Sequence, residues 1–434
     1  MTITLQKPTS FPCRPPIAAA PPSKSAAHRL LILAALSAGS SSVLIRCSGT
    51  NDDIDATVRC LCALGAVIEK TDCGYAVTPL DLTARPTQEI SLHVGESGST
   101  LRFLIPILGA LGISAAIRRN GRLPSRPLAP LDAVLSSHGM TLSDDPRDPS
   151  VLHVSGHLSA GDYTIDGGVS SQFISGLLFA LPLLPAPSVL NITGSISSAP
   201  YITLTESALR AFSAQISPED CGHTYHIAPT SYCPIDSLSV EGDWSGAAVL
   251  LCAGALSEGI QLSGLSRSSL QGDKRIVSVL ESLGCTASWT ETDVTLLPPE
   301  SGTYTPITIH ADDIPDLIPA IAVLCCAADG TSVIGGCARL RLKESDRLAA
   351  ITDLIRSLGG AAEEDGDTLT IHGTGRLTGG FCEGVHDHRI VMSAALAALI
   401  SDAPVTVSDA EAVAKSFPDV FDILSDGGMI RVIP

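Results

Sequence analysis

The chain has 434 residues, 45% of them hydrophobic but only 4% aromatic, and carries a net charge of −18. That length exceeds one ordinary core and calls for two or three domains, packed with Leu, Ile, Val and Ala rather than with rings. So acidic a chain argues against nonspecific nucleic-acid or anionic-membrane binding, and any basic cluster in it needs a reason.

In chain order, the first stretch, MTITLQKPTSFPCRPPI, lacks the apolar core of a signal peptide. Six apolar runs with polar starts then follow. They begin near Ser23 (KSAAHRLLILAAL), Gly98 (STLRFLIPILGAL), Ser170 (SQFISGLLFALPLL), Asp243 (WSGAAVLLCAGAL), Asp313 (IPDLIPAIAVLCC) and Asp387 (HRIVMSAALAALI). Their intervals are 70–75 residues, the mark of an internal repeat. A second helix in each copy is expected to stop on Gly65, Gly139, Ser213, Gly284, Gly359 and Gly427. A β-prone piece such as residues 42–45 or 405–407 separates the two helices. A hairpin follows the second, clearest over 361–372 with its turn at Asp365-Gly366-Asp367.

Each copy therefore reads strand–helix–strand–helix–strand–strand, an α/β (α+β) unit too small to bury both helices alone. One solenoid or two clusters of three both satisfy this. The prolines from Pro15-Pro16 to Pro21-Pro22 read as a hinge before the first helix. The longest apolar stretches, such as 314–328, are interrupted by Pro or Asp and are too short to span a bilayer. Thirteen cysteines, several in apolar runs (Cys60 and Cys62, Cys252, Cys325-Cys326), form no Cys-x-x-Cys. They are expected to be reduced, buried side chains of a soluble cytoplasmic protein rather than disulfides or zinc ligands.

The helix starts share an anion-binding character. Lys24, Ser25 and Arg29 surround the first, and Gly98, Ser99, Thr100 and Arg102 the second. Arg126 precedes a helix expected over 128–137, and Ser170, Ser171 and Gln172 open the next long one. The run Lys343-Glu344-Ser345-Asp346-Arg347 stands before an apolar-periodic stretch, so a helix is expected from about Ser345. Its free N–H groups and two cations favour an anion, with Glu344 the odd member. Read blandly, this is a surface helix with ordinary salt bridges. His386-Asp387-His388-Arg389 and Lys415-Ser416-Phe417-Pro418 complete the set. His386 and His388 read as exposed hydrogen-bonding residues sooner than metal ligands. Asp316, heading a very apolar helix, is either an N-cap or functional. No phosphate-binding glycine loop, dinucleotide fingerprint or metalloprotease motif occurs.

These pieces resemble the 3-phosphoshikimate 1-carboxyvinyltransferase (5-enolpyruvylshikimate-3-phosphate synthase) family along essentially the whole chain. The resemblance rests on Pro22-Ser23-Lys24-Ser25 with Arg29, Ser97-Gly98-Ser99 with Arg102, and Gly121 to Pro127. It rests equally on Ser170-Ser171-Gln172, Lys343 to Arg347, Asp387-His388-Arg389 and Lys415 to Asp419. It implies two domains, each of three βαβαββ units in pseudo-three-fold arrangement, with an active-site cleft between them. Domain I would comprise residues 1–20 and 241–434, and domain II residues 21–240.

The implied reaction moves the enolpyruvyl group of phosphoenolpyruvate to the 5-hydroxyl of shikimate 3-phosphate, in the shikimate pathway of aromatic amino-acid biosynthesis, with glyphosate as the family's inhibitor. The resemblance assigns Lys24, Ser25, Arg29, Ser170, Ser171, Gln172, Ser198, Tyr201, Asp316 and Lys343 to shikimate 3-phosphate. It assigns Lys24, Gly98, Arg126, Gln172, Arg347, Arg389 and Lys415 to phosphoenolpyruvate, where paired guanidinium groups suit a carboxylate. Asp316, Glu344 and Lys24 are the implied catalytic groups. One departure from the family pattern is Arg339, where many relatives carry Asn. No metal or cofactor is expected, and a monomer is.

Two rivals remain. The sister family acting on UDP-N-acetylglucosamine usually carries a reactive Cys in the loop matching 118–130, which has none here. A non-catalytic anion-binding repeat protein should have lost Asp316, Glu344 or Lys24, and all three are present.

Overall fold

The computed structural model describes residues 1–83 and 86–433. No candidate site residue lies outside them. The chain divides into two compact units, one of residues 1–23 with 241 onward, the other of residues 24–240. Each unit contains three four-stranded sheets, and each sheet follows one pattern. The first strand runs parallel to the second, the second antiparallel to the fourth, and the fourth antiparallel to the third. In the sheet of Ile90–Gly95, Ala115–Arg119, Met140–Asp144 and Val151–Gly156 this is plain. It is the βαβαββ unit that the repeat spacing predicts.

Three sheets are completed by strands from distant sequence. In the unit of residues 24–240, Ser237–Ser239 pairs in parallel with Val43–Arg46 and so supplies the opening strand of the first copy. In the other unit, Ile17–Ala19 takes that place beside Ile260–Ser263. Ile3–Gln6 lies between Val405–Val407 and Arg431–Ile433, antiparallel to both. The repeats are therefore completed by exchange of short end strands: Ile3–Gln6 fills an internal place in its sheet, while Ile17–Ala19 and Ser237–Ser239 form the edges of theirs.

Long apolar helices form the middle of each unit. Lys24–Ala35, Gly98–Leu111 and Ser171–Ala180 are buried almost all round, as helices without a polar stripe must be. Gly176 allows the second and third to approach closely: a Cβ there would stand 2.4 Å from the Arg102 carbonyl oxygen. Trp244–Ala255, Ile318–Ala327 and His388–Leu399 play the same part in the other unit. Their side chains join one continuous core per unit. The amphipathic second helices, such as Asp52–Ala63 and Arg347–Ser357, bury one face only.

Several details depart from expectation. The helix expected from Ser345 starts at Arg347, because the Asp346 side chain accepts the Ala349 N–H and acts as N-cap. The helix expected over 128–137 spans only Leu131–Ser137. The last helix, Val420–Asp426, does end on Gly427 as its C-cap, but Gly427 is right-handed and the left-handed residue is Gly428, φ +67°. All thirteen cysteines are free thiols, and Cys60, Cys252, Cys325 and Cys326 are buried, but the expected burial fails for Cys13, Cys62, Cys73, Cys221 and Cys233, which are exposed. No helix among the described residues is long and apolar enough to cross a membrane.

Candidate active site

In the unit of residues 24–240, candidate residues gather at the N-terminal ends of the buried helices. Lys24 begins the first helix, and its Nζ donates to Asp53 Oδ2 at 2.9 Å. Arg29, one turn on, is 3% exposed. Its Nε donates to Thr205 Oγ1 at 2.8 Å, and its terminal nitrogens donate to the carbonyls of Ser25 (2.7 Å) and Tyr201 (2.9 Å). Burial pushes its pKa down to about 10, which leaves it charged at neutral pH. Ser198 caps the helix Ala199–Ala211 in a left-handed conformation, φ +54°, a strained setting for a residue with a Cβ.

Gly98 opens the second buried helix behind the N-cap Ser97, whose side chain accepts the Thr100 N–H. A Cβ on Gly98 would lie 3.1 Å from an Arg126 guanidinium nitrogen and 3.2 Å from one of Arg102, so two cations overhang this helix start. Ser170 caps the third helix. Gln172 Nε2 donates to Ser99 Oγ at 2.9 Å and its Oε1 accepts from Arg102 at 2.8 Å, which joins the second and third helix starts. Helix N-termini, three arginines and Lys24 make this a strongly anion-seeking surface.

In the other unit, Arg347 is the hub. It is 1% exposed and meets three carboxylates. Its Nε and one terminal nitrogen reach Asp387 at 2.8 and 3.2 Å, while Asp316 and Glu344 accept at 2.6 and 2.7 Å. Asp387 is itself fixed: it caps the helix His388–Leu399, accepts from the Ser345 hydroxyl at 2.9 Å, and is fully buried. Asp316 also accepts from Lys343 at 3.2 Å. Burial works to raise the Asp316 pKa, but Lys343, Arg347 and Arg389 outweigh it and hold the carboxyl well below its usual range. Burial lowers the Lys343 pKa, with Asp316 opposing and the neighbouring Arg347 and Arg339 adding to the fall. Glu344 spans two cations, Arg347 at 2.7 Å and Lys415 at 3.7 Å. Arg389 donates to the Ser245 carbonyl at 2.8 Å.

This corrects three expectations. The Arg347 ion pairs are not those of a surface helix, since its side chain is 1% exposed and four of its five N–H groups serve carboxylates. Asp316 is not an N-cap: Leu317 holds that place and makes no side-chain cap bond. His388 is buried in the first helical turn, and only His386, in a left-handed turn, is exposed. No cluster of metal-ligating side chains occurs among the described residues. Sequence reasoning did not single out Asp53 or Asp273. Asp53 had a signal, the acidic first turn after the Asn51 cap. Asp273 had none, being one acid in a polar loop.

Solved structures share this fold. EPSP synthase from Acinetobacter baumannii superposes with a TM-score of 0.79 at 22% identity, with 100% of both chains covered. The enolpyruvyl transferase NikO from Streptomyces tendae gives 0.76 at 18%, covering 100% of this chain and 99% of that one. The fold is that of the enolpyruvyl transferases.

Sequence relatives narrow the class. The family model for EPSP synthase (3-phosphoshikimate 1-carboxyvinyltransferase) matches residues 17–424. The 3-phosphoshikimate 1-carboxyvinyltransferase of Clostridium kluyveri is 37% identical over 415 residues, 94% of each chain. That of Brachyspira hyodysenteriae is 35% identical over 394 residues, 91% of this chain and 92% of its own. The chain belongs to the EPSP synthase family.

Proposed function

We propose that the protein transfers the enolpyruvyl group of phosphoenolpyruvate to the 5-hydroxyl of shikimate 3-phosphate and releases phosphate. Family membership supports the reaction, and the Arg347 cluster is the observation that carries the chemistry. The reaction protonates C3 of phosphoenolpyruvate and adds the 5-oxygen to C2. The tetrahedral intermediate then loses phosphate and a C3 proton. It needs one group to give and retrieve a carbon-bound proton and another to take the hydroxyl proton. Glu344 and Asp316 are two carboxyl groups held by one guanidinium, 2.7 and 2.6 Å from it. We assign Asp316, kept ionised by its cations, to the hydroxyl proton and Glu344 to the C3 proton. Lys24, its amine bonded to Asp53, is assigned to both substrates and to the phosphate that leaves.

Shikimate 3-phosphate falls to Lys24, Ser25, Arg29, Ser170, Ser171, Gln172, Ser198, Tyr201, Asp316 and Lys343. Phosphoenolpyruvate falls to Lys24, Gly98, Arg126, Gln172, Arg347, Arg389 and Lys415. For Arg347 and Lys415 this has a consequence, because Glu344 already spans both cations. The Glu344 carboxylate stands where the substrate carboxylate is assigned, so donor binding displaces it from Arg347 and frees it for proton transfer. One chain carries every assigned residue, so a monomer is the proposed working unit. The cytoplasm, where free thiols stay reduced, is the proposed compartment.

Phosphate release tests the reading. It should require phosphoenolpyruvate and shikimate 3-phosphate together, and UDP-N-acetylglucosamine should not replace the latter. Release with the sugar nucleotide would move the protein to the sister activity, and release with neither would leave only an anion-binding role.

A further inference from the structure

Beneath the first turn of the helix Trp244–Ala255 lies a fully buried carboxyl, Asp273, which the proposed reaction does not use. The Ser245 hydroxyl donates to Asp273 Oδ2, and the Ser245 carbonyl accepts from Arg389 at 2.8 Å. The loop carrying Asp273 is tied to the same helix start. Gln271 accepts the Trp244 N–H at 3.1 Å and donates to the Gly242 carbonyl at 2.8 Å.

We propose that Asp273 is a positioning residue for donor binding: through Ser245 it fixes the Arg389 guanidinium, and its charge sets how strongly Arg389 draws an anion. The inference rests on the assignment of Arg389 to phosphoenolpyruvate. The charged groups acting on Asp273 from packed elements include Asp316 before the helix Ile318–Ala327, Arg389 on His388–Leu399, and Asp243 capping Trp244–Ala255. On its own turn, Lys274 is engaged elsewhere, with its Nζ donating to the Arg267 and Ser269 carbonyls.

Burial pushes the Asp273 carboxyl up to about 7. Asp316 and Asp243 add to the rise, and the Ser245 bond and Arg389 oppose it. Below that pH the group is neutral and Arg389 acts on its ligand undiminished. Above it a buried negative charge competes for Arg389. Donor binding should therefore weaken as pH rises through 7.

The test compares the unsubstituted protein with Asp273→Asn, which keeps an acceptor for Ser245 but cannot ionise. The substrate phosphate has its own ionisation near pH 6, so the readout is the ratio of the two proteins' KM for phosphoenolpyruvate from pH 6 to 8. The ratio, unsubstituted over Asp273→Asn, should be near one at pH 6 and rise roughly three- to tenfold by pH 8, with kcat changing less. Ser245→Ala removes a bond that favours the ionised form, so its inflection should move to higher pH. Phosphoenolpyruvate binding by calorimetry, without turnover, should give the same ratio. A pH-independent ratio, or kcat and KM falling together with the melting temperature, would overturn the positioning role, as would absence of phosphoenolpyruvate binding. Binding that follows the expected ratio without transfer to shikimate 3-phosphate would instead fault the reaction assigned above.

Discussion

Glu344 and Asp387 both contact Arg347, yet their settings differ. Asp387 is fully buried and locked by a cap bond and Ser345, whereas Glu344 is 14% exposed and bridges the two cations assigned to the donor. Glu344→Gln should cut turnover by about 10²–10⁴, the usual worth of a general acid–base group, while phosphoenolpyruvate binds as tightly or more tightly. Asp387→Asn should weaken donor binding, because Arg347 loses its anchor. If both variants tighten binding alike, simple charge removal explains the data and the displacement of Glu344 fails.

His28 offers a stability test at the same scale. It is fully buried and bonded to Thr57 Oγ1 at 2.6 Å. Burial, with Lys24 and Arg29 adding and Asp53 opposing, lowers its pKa from 6.5 to about 3. The unfolded chain takes up this proton below 6.5 and the folded chain does not until about 3, so stability falls as pH drops through that window. The loss is about 1.4 kcal/mol per pH unit, or roughly 2 kcal/mol between pH 7 and 5. Urea titrations at those two pH values should show that loss, and His28→Gln should reduce it. An equal loss in both proteins would contradict the assignment.

At the scale of elements, the buried helices are the most legible parts of the chain. Runs such as KSAAHRLLILAAL and HRIVMSAALAALI announce their length, and Ser97, Ser170, Asp243 and Asp387 do cap the helices that follow them. What is not legible is what distant sequence supplies. Ile17–Ala19 and Ser237–Ser239 are three-residue strands, too short for an alternation pattern, and their partners lie in other copies. Asp273 and Asp316 show the same limit within the site. A carboxylate's burial and partners depend on tertiary packing, which no local pattern records.

Gly98 opens the second buried helix of its unit. It lies at the first helical position and is absent from the left-handed glycines, so no tight turn requires it. An added methyl would instead press on Arg126 and Arg102. Gly98→Ala should fold normally and raise the inhibition constant for glyphosate, longer than phosphoenolpyruvate, more than the KM for phosphoenolpyruvate. Equal changes in the two constants, or a lowered melting temperature, would contradict this account.

For the whole molecule, a net charge of −18 makes the grouping of cations informative. Arg29, Arg102, Arg126 and Lys24 stand at helix starts in one unit, and Lys343, Arg347, Arg389 and Lys415 lie around Asp316 and Glu344 or at a helix start in the other. Two anionic small molecules give such grouping a purpose in a chain that otherwise repels anions. The regular spacing of the apolar runs makes the six-copy architecture readable from the amino acids alone. The exchange of end strands that completes the copies leaves no such periodic mark.

In the proposed reaction one carboxyl group protonates and later deprotonates C3 of the donor. Running the reaction in deuterium oxide and examining the product by proton NMR tests it directly. Deuterium is expected in the enolpyruvyl methylene of the product, because the transient methyl group gains a solvent-derived deuteron and then loses one of its three hydrogens. A product formed with a fully protonated methylene would contradict that proton transfer.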